Sequence, residues 1–318
     1  MSIEETPYEP YKRYLLEIAY DGTNYSGWQI QPHRVAVQQR VQEILTKMYN
    51  GQPIHLIGSS RTDAGVHAQR FAASYLTPVR PDIPTDKILR AVNRQLPGDI
   101  KLRTVREVPL EFHARYDALG KAYTYVLNLG DPSPFTDRYT WRPIHRMDVE
   151  KIRAASQVLT GTHDYSSFVV ERSLIDEAVR TIYRIDVQEF GQFCCVTFVG
   201  NGFLYKMIRC LMGTLEAAGA GKLSPEAVRR ILEACDRTGK DHDVVHDKRQ
   251  NQQDGRDHGH LDRRLGALLA QARADAHYDP PPRAPASVVT STVSGMEPPP
   301  GSGISASVNV VPLMVRST

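Results

Sequence analysis

Hydrophobic and polar residues along the first part of the chain alternate between a strand-like and a helix-like pattern. The segment RYLLEIAY predicts a strand over residues 13–20. Apolar residues at positions i, i+3, i+4 and i+7 predict an amphipathic helix over residues 35–49, and these are Val41, Ile44, Leu45 and Met48. A second helix is expected over residues 85–96. Between the helices we expect two strands, one leading into the polar segment IGSSRTDAGVHAQRFA (57–72) and one following it.

The second part of the chain shows the same mixture of patterns. KAYTYVLNL predicts a strand over residues 121–129, and Asp148 is a helix N-cap residue for a helix that stops at Gly161. VRTIYRIDVQEF and QFCCVTFVGNGF predict a hairpin across Gly191. Two further helices are expected, one over residues 203–217 and one that begins at Ser224-Pro225.

This order of elements predicts an α+β fold with two similar α/β halves and mainly antiparallel sheets. We place an N-terminal α+β domain, which holds the polar segment, at residues 1–110 and a C-terminal α+β domain at 111–237. From Gly239 onwards Tyr278 is the only aromatic residue. A segment so poor in large apolar groups cannot offset the entropy of ordering, so residues 238–318 are predicted to be an atypical, disordered tail.

Composition narrows the class of protein. A hydrophobic content of 41% and a charged content of 24% are typical of a soluble globular protein. The net charge of +3 permits a polyanionic partner without requiring one. The four cysteines show no C-x-x-C spacing, which indicates reduced core residues in a cytoplasmic protein. With neither a signal-like N-terminus nor a run of 18 apolar residues, we expect no membrane association.

Metal and cofactor sites are not expected. The two histidine pairs with ligand-like spacing, His242 with His246 and His258 with His260, fall in the predicted tail. No Walker-type or Rossmann glycine pattern follows a strand. AYDGT at residues 19–23 is similar to the aspartate loop of haloacid-dehalogenase phosphatases, but Ala19 stands where that loop needs its nucleophile.

Asp63, in the polar segment, is the strongest candidate for chemistry. Small residues flank it at the end of a predicted strand, where a substrate can approach the carboxylate closely. A carboxylate can act as a nucleophile toward a sugar anomeric carbon, or as a base. Arg61 could contact a phosphate or compete with a base for its stacked position. On these residues alone, a tight turn in which Asp63 is hydrogen-bonded to the backbone is favoured over a chemical role.

Five sequence blocks carry a resemblance to a known family. In chain order they are YDGTNYSGWQIQP (20–32), SRTDAGVHA (60–68), NRQLPGDI (93–100), FHARYDALGKAYTY (112–125) and GNGFLYKMIRCLMGTL (200–215). Together they resemble the TruA family of tRNA pseudouridine synthases over roughly residues 13–237. The resemblance implies the pseudouridine synthase fold with a central RNA-binding cleft, and isomerisation of uridine to pseudouridine at positions 38, 39 and 40 of the tRNA anticodon arm.

The resemblance also implies roles for four residues. Asp63 matches the essential aspartate, acting as nucleophile on the anomeric carbon or as base at C2′. Arg61 matches an arginine that helps to displace the target base, Tyr123 a tyrosine that stacks on that base and is a candidate for removing the C5 proton, and Arg209 an arginine that pairs with the aspartate. The partners implied are tRNA and a second copy of the chain in a homodimer; no cofactor or metal is implied.

The residues by themselves leave alternatives open. Tyr123 alternates with Tyr125 and could be a core residue of a strand, Arg209 could form an ordinary ion pair, and Trp28 could pack the sheet. Six basic residues in or beside the blocks are candidates for phosphate contacts, and we expect about half of them to fail. They are Arg34, Arg40, Arg70, Arg115, Lys121 and Lys206.

The chain departs from the family pattern in two places. Ser60 stands where many relatives have glycine, a mild change if the backbone there is extended. After Arg237 the chain lacks the closing GPTAPA-type segment and the final strand that the family carries into the active-site cleft. We therefore hypothesise a replaced terminal segment, and the alternative function is a catalytically impaired tRNA-binding protein of the same fold.

Overall fold

The computed structural model describes residues 11–169 and 177–235, and these form two compact units that meet in sequence at Ala118 and Leu119. Each unit contains helices and one four-stranded sheet in which every strand pair is antiparallel. This confirms the predicted α+β class. The predicted tail, 238–318, and its histidine pairs lie outside the described residues.

The sheet of the first unit has a central strand with both faces covered. Its strands are β1 (Tyr11–Tyr20), β2 (Ile57–Gly58), β3 (Ala68–Pro78) and β4 (Ile100–Val108), in the order β2-β3-β1-β4. Residues 14–18 of β1 are buried without interruption, as expected for an inner strand with material on both faces.

Two helices complete the first unit. They are α1 (Val37–Met48) and α2 (Thr85–Gln95), within two residues of their predicted ends. The residue that follows α1, Tyr49, shares a 3.2 Å hydrogen bond between hydroxyls with Tyr75 of β3 on one face of the sheet. On the opposite face, Leu15 and Ala72 pack against Phe112 and Ala114 of the segment after β4.

The second unit repeats the arrangement with a different strand order. Its strands are β5 (Lys121–Asn128), β6 (Gly161–Asp164), β7 (Val179–Phe190) and β8 (Phe193–Gly200), in the order β5-β8-β7-β6. The predicted hairpin between β7 and β8 is confirmed. Gly191 makes its turn with a φ of +58°, a left-handed conformation that favours glycine.

Three helices cover one face of this sheet: α3 (Val149–Val158), α4 (Met207–Gly219) and α5 (Pro225–Ala234). Asp148 caps α3 by accepting hydrogen bonds from the backbone N–H groups of Glu150 and Lys151, as predicted. Ser224 caps α5 by accepting from the Ala227 N–H. Leu211, Leu215, Val228 and Leu232 of the helices and Val196 and Phe198 of β8 belong to one core cluster.

Three details of the prediction were wrong. The helix predicted over 203–217 begins only at Met207, because Lys206 has a left-handed backbone with a φ of +56° that cannot continue a helix. Strand β4 was missed because charged residues dominate its outward positions, although Ile100, Leu102 and Val105 are buried. Strand β6, GTHD, was missed because it has no large apolar residue.

The adjacent cysteines lie on opposite faces of β8, as a strand requires. Cys194 belongs to the helix-covered core, whereas Cys195 packs with Val126 and Tyr139 on the other face. Both are free thiols, and burial raises the pKa of Cys194 to about 11 and that of Cys195 to about 12. Within the described ranges, no helix combines the length and the apolar character needed to cross a bilayer.

Candidate active site

Asp63 lies in the loop that joins β2 to β3. It is half-buried, the preceding Thr62 is buried and Arg61 is exposed. The Val66 N–H donates to the Asp63 carbonyl at 3.3 Å and closes a tight turn. The turn uses the backbone of Asp63, so turn formation and a chemical role for the carboxylate do not exclude each other.

The segment that follows β1 holds the backbone of the Asp63 loop. The Trp28 N–H donates to the Thr62 carbonyl at 3.2 Å. The hydroxyls of Thr62 and Tyr20 lie 2.9 Å apart in a buried hydrogen bond. Because Thr62 directly precedes Asp63, these bonds fix the backbone from which the carboxylate projects.

Two glycines allow this close approach of one loop to the other. Gly27 has a φ of +87°, and a Cβ at this position would lie 2.2 Å from the Thr62 carbonyl oxygen. A Cβ at Gly22 would lie 2.0 Å from the Val66 carbonyl oxygen. Real Cβ atoms do not approach a carbonyl so closely, so the geometry of the loop depends on glycine at both positions.

A buried polar pair ties the two loops together. The Asp21 carboxylate lies 2.8 Å from Nδ1 of His67, and both side chains are almost buried. Asp21 also accepts a hydrogen bond from the Thr23 N–H at 3.0 Å. Burial disfavours the ionised carboxylate, but the hydrogen bonds from His67 and Thr23 outweigh burial and hold the Asp21 pKa well below its usual range. The pair therefore anchors the end of the Asp63 loop.

Trp28 packs the sheet rather than facing solvent. It is 2% exposed, and its ring centroid lies 4.1 Å from that of Phe71. A Cβ at Gly58 would lie 2.4 Å from its Nε1. Trp28 is thus part of the support beneath the loop.

Tyr123 lies on β5, opposite Phe198 of β8. Phe198 is fully buried, whereas Tyr123 is half-buried. The edge of one ring meets the face of the other between Tyr123 and Phe203, with centroids 5.3 Å apart and planes at 88°. Tyr123 therefore packs at the margin of the core and stays partly exposed.

Arg209 is the third residue of α4 and is half-buried. Its neighbours Met207, Ile208 and Cys210 are buried. The backbone of Arg209 thus lies in a well-packed helical turn. Phe203, which contacts Tyr123, belongs to the connection that leads from β8 into this helix.

The four predicted residues are divided between the two units. Arg61 and Asp63 share one loop of the first unit. Tyr123 and Arg209 belong to the second unit, Tyr123 on β5 and Arg209 on α4.

The six candidate phosphate contacts occupy different environments. Arg34 is exposed, and Arg40 forms an ion pair with Glu43 at 3.5 Å. The charged groups of Arg115 and Lys206 lie over the rings of Tyr116 and Tyr205, at 5.9 and 5.2 Å from the ring centroids. Arg70 is bound to Glu17 and Lys121 is half-buried.

Across residues 11–169 and 177–235, no group of three or more histidine, cysteine or acidic side chains is arranged to hold a metal ion. Ser60 does not have a positive φ angle, so its backbone does not require glycine.

Comparison with protein families decides the class of this protein. A family model described as tRNA pseudouridine synthase matches residues 17–117 and 155–251. The chain belongs to the tRNA pseudouridine synthase family. The matched regions include Arg61, Asp63 and Arg209, and they extend past Arg237, where the sequence analysis places the departure from the family pattern.

Curated relatives named tRNA pseudouridine synthase A are similar over most of their length. The relative from Brevibacillus brevis is 41% identical over 71% of this chain and 92% of its own. Those from Clostridium kluyveri and Halalkalibacterium halodurans are 41% and 39% identical, covering 92% and 90% of their own lengths. The resemblance to this family is therefore confirmed, and this tRNA pseudouridine synthase is an isomerase that makes pseudouridine in tRNA.

The sequence patterns did not predict part of the support around the Asp63 loop. The Asp21–His67 pair joins residues from two separate sequence blocks, 20–32 and 60–68. Apart from these blocks, no feature of the sequence indicates that the two residues form a pair. Glu17, a buried carboxylate inside the apolar strand β1, was read as an ordinary strand residue.

Proposed function

We propose that this synthase modifies uridines at positions 38, 39 and 40 of the tRNA anticodon stem-loop, with Asp63 as the nucleophile. The observation that carries the proposal is the half-buried Asp63 carboxylate on a loop fixed by the Thr62 hydrogen bonds, Gly27 and the Asp21–His67 pair. A carboxylate held in one place needs little reorganisation when a substrate arrives.

The reaction is an internal rearrangement that needs no cofactor. The bond from N1 of the base to C1′ of the ribose breaks, and a bond from C5 to C1′ forms. C5 loses its proton and N1 gains one, so the product contains the same atoms as the substrate and no oxidant or reductant takes part. A carboxylate suffices as nucleophile at C1′, or as base at C2′, in such a sequence.

Three further residues are proposed to bind the substrate: Arg61, Tyr123 and Arg209. A paired uridine must be extruded from the helix at a cost of a few kcal/mol before its C1′ can be reached. The exposed Arg61 next to Asp63 is suited to compensating for lost stacking, and the accessible part of Tyr123 is suited to stacking on the extruded base. We assign Arg209 to the same substrate-binding set.

We further propose that the synthase works in the cytoplasm as a homodimer. For organisation along the chain, we propose one N-terminal and one C-terminal α+β domain.

The test is pseudouridine mapping on unmodified tRNA transcripts with uridine at positions 38, 39 or 40. Carbodiimide-blocked primer extension should show new stops at these positions with the wild-type chain. Asp63→Ala should give no stops while still binding the transcript, because the Val66 and Trp28 hydrogen bonds of the loop are accepted by backbone carbonyls that the substitution keeps.

Asp86→Ala is a matched control, because Asp86 is an exposed carboxylate of the same unit, on α2. It should give the wild-type pattern of stops. Stops only outside the anticodon arm would contradict the proposed positions, and stops with Asp63→Ala would contradict the proposed nucleophile.

A further inference from the structure

Two irregularities flank the central strand β1 at the same point. Toward β4, Glu17 pairs with Thr104 but Ile18 pairs with Leu102, so Arg103 is an extra residue in a β-bulge. Bulges bend a strand locally and re-aim a side chain, and they are frequent beside active sites.

The second irregularity lies on the other side of β1. Ile18 pairs with Phe71 and Tyr20 pairs with Ala68, so Gln69 and Arg70 together face one residue of β1. The two bulges meet through a side-chain bond, because Nη2 of Arg103 donates to Oε1 of Gln69 at 3.1 Å.

A buried carboxylate holds one of the bulge arginines. Glu17 is 6% exposed, and Arg70 donates to both of its carboxylate oxygens, from Nε and Nη2, at 3.0 Å each. Arg106 approaches the same carboxylate at 3.6 Å. This bidentate hydrogen bond fixes the plane of the Arg70 guanidinium.

The charges in this group do not balance. Arg70, Arg103 and Arg106 carry three positive charges, and in the part of the chain that the structure describes their one acidic contact is Glu17. A purely structural ion pair would need one arginine, so the excess of positive charge suits an anion from outside the chain.

The arginines are accessible and lie near the Asp63 loop. The side chain of Arg106 is 49% exposed and that of Arg70 is 33% exposed. Strand β3 begins at Ala68, directly after the loop, and Arg70 is its third residue.

We propose that Arg70, Arg103 and Arg106 form a phosphate-binding site for the backbone of the RNA substrate, with Glu17 as a positioning residue. This inference rests on the proposed function, because it assigns the cluster to the same RNA. Guanidinium groups held in a fixed plane bind phosphate oxygens through paired hydrogen bonds, and they bind a backbone irrespective of base sequence.

The experiment measures binding of an unmodified anticodon-arm transcript over a range of KCl concentrations. We substitute the two arginines that do not form the bidentate hydrogen bond to Glu17, as Arg103→Ala and Arg106→Ala. Each should weaken binding roughly five- to tenfold at moderate salt and reduce the salt-dependence slope by about one. The single-turnover rate at saturating transcript should stay at the wild-type value, because the site binds and does not react.

Arg90→Ala is the control, since the charge of Arg90 on α2 is balanced by Asp86 one turn earlier. It should leave both affinity and slope unchanged. If Arg103→Ala and Arg106→Ala also leave both unchanged, the cluster is structural and the inference is wrong. A wild-type chain that binds with the expected slope but forms no pseudouridine would refute the proposed function instead.

Glu17→Gln tests the positioning role. Removal of a negative charge should tighten RNA binding if only net charge matters. If Glu17 orients Arg70, binding should weaken about threefold or more despite the gained charge, with thermal unfolding followed in parallel to show that the variant is folded. Tighter binding by a folded Glu17→Gln variant would overturn the positioning role. Arg70→Lys keeps the positive charge but cannot form the bidentate hydrogen bond, so it should weaken binding to a similar degree.

Discussion

At the scale of single residues, Asp21 links the stability of the first unit to pH. Its hydrogen bonds hold its pKa in the folded state below the ordinary value of about 4. A lowered folded-state pKa stabilises the protein at pH values above the unfolded-state pKa. This contribution is lost as the pH falls toward the folded-state pKa.

Replacement of Asp21 should remove this contribution. Asp21→Asn should lower the free energy of unfolding by about 2 kcal/mol near neutral pH, because a buried charge-assisted hydrogen bond is lost. The deficit should shrink as the pH falls below about 4, where the wild type loses the same stabilisation. Urea unfolding at several pH values measures both effects, and a deficit independent of pH would contradict the account.

Substitutions of Tyr123 separate two roles, stacking by the ring and proton removal by the hydroxyl. Tyr123→Phe keeps the ring, so it should bind tRNA as the wild type does. Tyr123→Leu removes the aromatic face and should weaken substrate binding by about 1–3 kcal/mol, the usual value of one stacked base. Binding and single-turnover rates separate the two roles. Equal affinities for the Phe and Leu variants would contradict stacking, and a slow Phe variant with normal affinity would assign proton removal to the hydroxyl.

Single residues were also where the sequence was most and least informative. Asp63 was identified from its small neighbours and its block, and the structure places it in the expected loop. Glu17 was not, because a glutamate among strand-forming residues looks like a solvent-facing position. Its burial depends on Arg70, 53 residues away, and local pattern does not report such a contact.

At the scale of elements, the Asp63 loop depends on glycine in the segment that supports it. Gly27→Ala would require both a left-handed φ and a contact of 2.2 Å with the Thr62 carbonyl. We expect a loss of at least about 1–3 kcal/mol in unfolding free energy, since the strained backbone must shift. The shift would move Thr62 and therefore Asp63, so the rate should fall by tenfold or more.

Gly98→Ala is the matched control, because nothing lies within 4 Å of a Cβ there and its φ angle is not positive. It should be close to wild type in chemical unfolding and in single-turnover rate. If Gly27→Ala behaves like Gly98→Ala, the loop contact is not what positions the carboxylate.

Element prediction succeeded where the apolar positions follow a regular pattern. The helices α1 and α2 bury regular apolar stripes, and the β7–β8 hairpin combines strand-forming residues with a glycine turn. The sequence pattern did not predict strand β4. It contains a bulge at Arg103 and charged residues on its outward side, so its periodicity is broken where the proposed phosphate site lies.

At the scale of the whole molecule, the residues proposed for catalysis and substrate binding are distributed over the two units. Arg61 and Asp63 belong to the first and Tyr123 and Arg209 to the second. No local pattern joins residues so far apart, and only the ordered set of blocks along the chain associated them with one function. The family match and the relatives' coverage of 90% or more then decide the family.

The central claim is that Asp63 carries the isomerisation. A transcript whose uridines carry tritium at C5 tests it directly, since every C5–C1′ bond formed releases one tritium to water. The wild type and Asp86→Ala should release tritium at the same rate, whereas Asp63→Ala and Asp63→Asn should release none above background while still binding the transcript. Release by either Asp63 variant near the wild-type rate would contradict the account.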